Sequence, residues 1–372
     1  MINIYFRFIQ FSLGLYEGKE FLDGSAFVGF NWKRFYDFAK KQTLIGIIMD
    51  GITKLPKGAG LNRNVLMRWF AASQKINTLN IIMNEATAQI YNEIKDEGFS
   101  CCVLKGQGNA AMYPNPNSRT SGDIDIWVNA PRNKIRSLAF SLTKKNGKVQ
   151  DESLNHIILI REGVVVELHN TPCFMANFLY NHRLQIWLQN NVEKQCENIV
   201  TLADNAGNVA IPTLSFNIIY QLHHIYHHYF YEGIGFRQIL DYYFVLMNWN
   251  KDKVNIENVG ELQKEIIHLG LWKFAGAMMY VLHEFMDLSE EKHIVPMDVK
   301  RGKMLLDDIL GGGNFGSYYN RKTIGNHFIN HNLQRLVRDA RLLRYYPAEA
   351  LSEPIFRLWH YLWRQKLYAT TK

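Results

Sequence analysis

At 372 residues the chain exceeds the ~100–200 residues usual for one domain, and its 47% hydrophobic, 13% aromatic and 20% charged content excludes a disordered or low-complexity protein. A formal charge of +8 suits a polyanionic partner such as RNA, a nucleotide or an acidic surface, but a field this weak singles out none of them. Cys101, Cys102, Cys173 and Cys196 show no Cys-x-x-Cys spacing and read as reduced thiols. No apolar run reaches the ~18 residues of a membrane span. Met1 to Tyr16 has neither a basic start nor a small-residue cleavage site, so a cytoplasmic address is the expectation.

The first ~60 residues mix short apolar patches with Gly and Lys and are expected to form helices packed on the downstream core. From Asn64 to Glu97 the apolar residues Leu66, Trp69, Phe70, Ile76, Leu79, Ile82, Met83, Ala86 and Ile90 recur at three and four, which predicts one long helix, broken at most once, with Gly98 as its stop. Ser100 to Lys105 reads as a buried strand. Gly106 opens a turn into a brief helical piece around Asn109 to Tyr113, after which Pro114 and Pro116 force an irregular loop. Asp123 to Val128 is a second strand, followed by a helix from near Pro131 that stops at Gly147. His156 to Arg161 and Val164 to His169, joined by Glu162-Gly163, predict an antiparallel hairpin.

Beyond Pro172 the pattern is helical, with Ser215 as the cap of a segment through Tyr231, then Phe236 to Trp249, Glu257 to Leu269, Leu271 to Phe285 and Arg335 to Tyr345. The expected fold class is therefore α+β: a small mixed β-sheet core flanked by helices, with a mainly α-helical C-terminal part. The expected division is 1–97, a helical N-terminal region packing on the core; 98–212, the sheet core; and 213–372, a helical domain.

Alternation in Asp123-Ile124-Asp125-Ile126 sends both carboxylates to one strand face and both isoleucines to the other. Two adjacent like charges call for a cation, and hard oxygen donors suit Mg²⁺ or Mn²⁺. On the hairpin strand, Val165, Glu167 and His169 share one face while Val164, Val166 and Leu168 share the apolar one, so Glu167 supplies a third carboxylate. Asp123, Asp125 and Glu167 are the candidate catalytic residues and metal ligands of a two-metal phosphoryl-transfer site, with Glu167 holding the ion that activates an attacking hydroxyl.

In order, Lys105-Gly106, Tyr113-Pro114, Arg119, Asp123/Asp125 and Glu167-Leu168-His169 resemble the nucleotidyltransferase superfamily of DNA polymerase beta-like fold, most closely its uncharacterised bacterial branch. Downstream, Arg237-Gln238-Ile239-Leu240-Asp241 is similar to that branch's Arg-x-x-x-Asp helix. The resemblance implies transfer of a nucleoside monophosphate from a nucleoside triphosphate to an acceptor. That acceptor is a small molecule, a peptide, a protein or an RNA. Lys105, Gly106, Arg119, Ser121 and His169 are then the candidate nucleotide-binding residues, and His223, Arg237 and Asp241 candidates for an acceptor cleft.

One departure stands out: Lys105-Gly106-Gln107 replaces the Gly-Ser or Gly-Gly that grips triphosphate in most superfamily members. A catalytically inactive nucleotide- or RNA-binding module is the competing expectation. The pairs His223/His227 and His224/His228 have zinc-clip spacing, although core packing or acceptor contact is the stronger reading. Arg237 and Asp241 read as an intrahelical ion pair. Arg335, Arg338, Arg341 and Arg344 read as a solvated helix flank. Gly311 to Gly316 reads as a loop between helices, able to cover the acceptor.

Overall fold

Residues 2–56, 59–144, 147–249, 256–316 and 336–370 are described in the computed structural model. Strands β1 (Cys101–Leu104), β2 (Ile124–Val128), β3 (Gly147–Glu152), β4 (His156–Arg161) and β5 (Val164–His169) form one sheet in the order β1-β2-β5-β4-β3. Only β2 and β5 run parallel; the other neighbours are antiparallel. Two sets of side chains follow from the period of two. Ile124, Ile126, Val164, Val166 and Leu168 enter one core, closed by Met83, Ala88, Ile90, Tyr91 and Ile94 of the helix Arg63–Asp96 and by Ile135, Leu138, Ala139 and Leu142 of the helix Arg132–Thr143. Cys102, Leu104 and Trp127 face the other way, towards the helical C-terminal part.

This arrangement is the expected α+β class, with the long helix unbroken over 34 residues. Its start is capped by Asn62, whose side chain accepts from the Asn64 amide, and Gly98 follows its end at φ 84. The N-terminal helix Ile2–Ser12 does not rest on the sheet. Phe6 instead packs edge-on against Phe236 and Phe285, 5.2 and 4.9 Å between ring centroids, so the N-terminal helix shares one aromatic core with the helical part beyond the sheet.

Several local expectations are corrected. The helix after Pro131 ends at Thr143, and Gly147 opens β3. The brief helical piece is Gly106–Ala110, and the segment read as capped by Ser215 begins at Leu214, with Thr213 at its N-cap, two residues earlier than expected. The helix Val299–Gly312 runs into the supposed glycine loop, of which Gly313 and the single 3₁₀ turn Asn314–Gly316 remain. Arg335 lies outside the described residues. Arg341 and Arg344 are exposed, as a solvated flank would be, while Arg341 also pairs with Asp308 at 2.6 Å and Arg338 donates to the Phe230 carbonyl at 2.9 Å.

Candidate active site

Parallel pairing places Asp125 beside Glu167 and Trp127 beside His169, while the antiparallel hairpin sets His156 opposite His169. With Asp123 just ahead of β2, one sheet face therefore carries three carboxylates and two imidazoles. One oxygen from each of Asp123, Asp125 and Glu167 lies within 4.8 Å of the others. They open into a cleft of about 660 Å³, whose opposite wall includes Gln221, His224, His227 and His228 of the helix Leu214–Tyr231.

Asp125 is only 3% exposed, and its charge is met from two sides: Lys105 Nζ stands 3.1 Å from Oδ2 and His169 Nε2 2.9 Å from Oδ1. Burial acts to raise its pKa, but Lys105 and His169 outweigh burial and hold it below the usual carboxylate value. Glu167 is likewise lowered, by the hydrogen bond from His169 against its own burial. Asp123 moves the other way. Repulsion from Asp125, then burial, raises it.

Burial depresses His169, yet its bonds to Asp125 and Glu167 prevail and push it up to about 9. His156, buried with weaker compensation, is held down to about 4. With chelator present, the stabilisation due to charged His169 is complete below its ordinary value of 6.5 and lost as pH rises through about 9. Thermal melts are expected to fall by several degrees between those limits. His169→Gln should flatten the slope, and an unchanged slope would assign the effect to another group.

Lys105 reaches Asp125 from a backbone at φ 46, followed by Gly106 at φ 40. Two successive residues at positive φ fold the chain end back sharply, and for Lys105, whose ψ of −137 lies outside the left-handed helical well, the conformation costs about 1–3 kcal/mol. Gly106 leaves the backbone accessible to the cleft. Gln107 does not reach the cleft: its amide donates to Asn84 of the long helix.

The remaining motif residues meet elsewhere. Arg119 Nε and Nη2 each donate to Asp241 at 2.7 Å, and Tyr113 Oη donates to the same carboxylate at 2.7 Å. Asn80 holds this loop from behind, its amide donating to the carbonyls of Asn117 and Arg119 at 2.8 and 2.7 Å. Asp241 thus pairs across the fold with Arg119, which corrects the expected Arg237–Asp241 pair.

Arg237 lines the cleft and donates to the Thr120 carbonyl at 3.1 Å, but its buried Nε has no partner, and no carboxylate pairs with it among the described residues. Ser121 is buried with its hydroxyl unpartnered and lies off the cleft lining. His223 turns into the core, at 1% exposure. The His223/His227 rings stack 6.3 Å apart, and His224 and His228 meet edge-on at 4.3 Å; neither pair belongs to a ligand cluster among the described residues.

Sequence reading missed His156, Asn80 and His360, the last reaching the cleft from the helix Pro347–Thr370. For His156 the signal was present: Glu162-Gly163 fixes Arg161 opposite Val164, and counting back along both strands brings His156 to His169.

A mixed sheet whose parallel pair presents clustered carboxylates to a cleft is the frame of a nucleotidyltransferase. The sequence matches the family described as "Uncharacterised nucleotidyltransferase" over residues 29–287, and the chain belongs to that family. A solved structure, an antigenic nucleotidyltransferase-like protein from Paracoccidioides brasiliensis, is similar at 17% identity and a TM-score of 0.34, covering 61% of this chain and 96% of its own. No functionally curated protein matches the sequence.

Proposed function

We propose that this protein transfers a nucleoside monophosphate from a nucleoside triphosphate to an acceptor hydroxyl in a Mg²⁺- or Mn²⁺-dependent reaction. The observation that carries the reading is the meeting of Asp123, Asp125 and Glu167 within 4.8 Å at the cleft. The donor set fits a hard divalent cation: all three ligands are carboxylates, Asp125 and Glu167 are held towards the ionised form, and Asp123 bears a repulsion from Asp125 that Lys105 only partly offsets and a cation would relieve. When bound, such ions would neutralise the triphosphate and acidify the acceptor hydroxyl. In the reaction the acceptor hydroxyl gives up its proton to solvent, its oxygen bonds to the α-phosphorus as the phosphorus–bridging-oxygen bond breaks, and pyrophosphate leaves.

Lys105 and Arg237 orient the phosphates in this reading, with Gly106 allowing close backbone approach. Arg119, engaged by Asp241, instead fixes the loop leading to Asp123 and acts as a positioning residue, while His169 holds Asp125 and Glu167 in place. Arg237 is the stronger anion ligand because its buried guanidinium has no directly bonded carboxylate, Asp241 and Asp123 attracting it only from a distance; burial, then Arg119, lowers its pKa. A phosphate would supply the missing partner. Arg237→Gln is expected to weaken triphosphate binding on the order of 10–100-fold by calorimetry, with no loss of thermal stability. Equal affinity in the variant would remove Arg237 from the nucleotide site.

One observation favours a second reading, a binding module without turnover: Gln107 is committed to Asn84, so the phosphate-gripping turn offers no side-chain hydroxyl. A pyrophosphate-release assay across sugar, peptide, protein and RNA acceptors separates the two. Mg²⁺-stimulated release supports transfer. Tight nucleotide binding with no release from any acceptor class supports the module. No helix among the described residues is long and apolar enough to cross a membrane.

A further inference from the structure

One buried nitrogen beside the carboxylates has nothing to bond. His156 Nδ1 is shielded from solvent and lacks a hydrogen-bond partner, although Glu167 Oε2 lies 3.6 Å away. The same oxygen stands 3.4 Å from His169 Nε2. A 3.6 Å gap is too long for a hydrogen bond. Both gaps are close to the roughly 3.3 Å that separates two donors of one tetrahedral ion held at ~2.0–2.1 Å. The two rings lie 5.0 Å apart, and one donor atom from each of His156, Glu167 and His169 falls within 4.8 Å of the others.

We propose that His156, Glu167 and His169 form a binding site for a transition-metal dication of the Zn²⁺ or Co²⁺ class, next to the all-carboxylate group and sharing Glu167 with it. Two imidazoles and one carboxylate are borderline ligands that favour such ions over Mg²⁺, which prefers oxygen and keeps its water. Three protein ligands facing a cleft also leave a position open for water or substrate. The strands fix the arrangement: His156 and His169 are register partners on adjacent strands, and Glu167 is two residues from His169 on the same face. Coordination displaces the proton of His169 Nε2 to solvent and replaces its 2.9 Å hydrogen bond to Asp125 with attraction between the ion and both carboxylates. The cluster differs from the acidic trio in donor chemistry, and the inference does not depend on nucleotidyl transfer, since it is read without nucleotide.

The test is titration of the full-length, chelator-treated protein with Co²⁺ alone, followed by visible d–d absorption. Wild-type protein is expected to give a saturable one-site spectrum, with Co²⁺ bound far more tightly than Mg²⁺. His156→Ala should weaken Co²⁺ affinity at least ~10-fold and leave the Mg²⁺-induced thermal shift in place. Asp123→Asn should do the reverse, sparing the Co²⁺ spectrum while reducing the Mg²⁺ shift. An unchanged Co²⁺ titration in His156→Ala overturns the site. So does the absence of a saturable spectrum in wild-type protein. Should His156→Ala fail to fold, proton NMR of the wild-type Co²⁺ protein decides: hyperfine-shifted exchangeable imidazole N–H resonances support the site, and their absence rejects it.

Discussion

Asp123→Asn is expected to lower metal-dependent pyrophosphate release on the order of 10²–10³-fold while making the chelator-treated protein slightly more stable, by roughly 1–3 °C. Both effects have one cause. Asp123 sits at the exposed mouth of the site, where Asp125 and Glu167 repel its charge and raise its pKa. A group raised in this way disfavours the folded state once it is ionised, so neutralising it relieves strain in the absence of a cation. The same neutralisation removes a ligand when a cation is required. Asp125 is the poorer choice for this experiment, because Asp125→Asn strands Lys105 and His169 without their buried counter-charge. Thermal melts with and without Mg²⁺, beside the release assay, give the comparison. Retained turnover in Asp123→Asn would remove this carboxylate from the chemistry.

Asp241→Ala should destabilise the fold by roughly 3–5 kcal/mol, the usual cost of leaving one member of a buried ion pair alone. The variant strands Arg119, which donates twice to Asp241, and deprives Tyr113 of its acceptor. Replacing both charges, Arg119→Met with Asp241→Leu, should recover part of the loss, since neither member of the pair is then left as a lone buried charge, although Tyr113 still lacks its acceptor. Denaturant unfolding measures each variant. A single-mutant cost below about 1 kcal/mol would reduce the contact to the level of a surface pair.

The acidic site was legible because strands have a period of two and the hairpin turn has a fixed length. Together these assign Asp125, Glu167 and His169 to one face. The cross-chain node at Asp241 was not legible, since i, i+4 spacing offers Arg237 as a local partner and gives no hint of Arg119, 122 positions away. β3 escaped notice because Gly147-Lys148-Val149-Gln150-Asp151-Glu152 lies at the sheet edge, where polar side chains blunt the apolar alternation. The helix Pro347–Thr370 was not among the expected elements, and it accommodates Pro354, a residue type that usually disrupts a helix interior.

The in-register pairing of Asp125 with Glu167 has a consequence for how such a protein diversifies. Spacing between these two acids is set by the ~4.8 Å ladder of the backbone, so substitutions elsewhere leave it untouched. The facing surface draws its side chains from more than one helix, with Gln221, His224 and His227 on one and His360 on another. The carboxylate spacing thus belongs to the backbone ladder and the facing wall to side chains alone, so under the proposed reading the two parts can change separately.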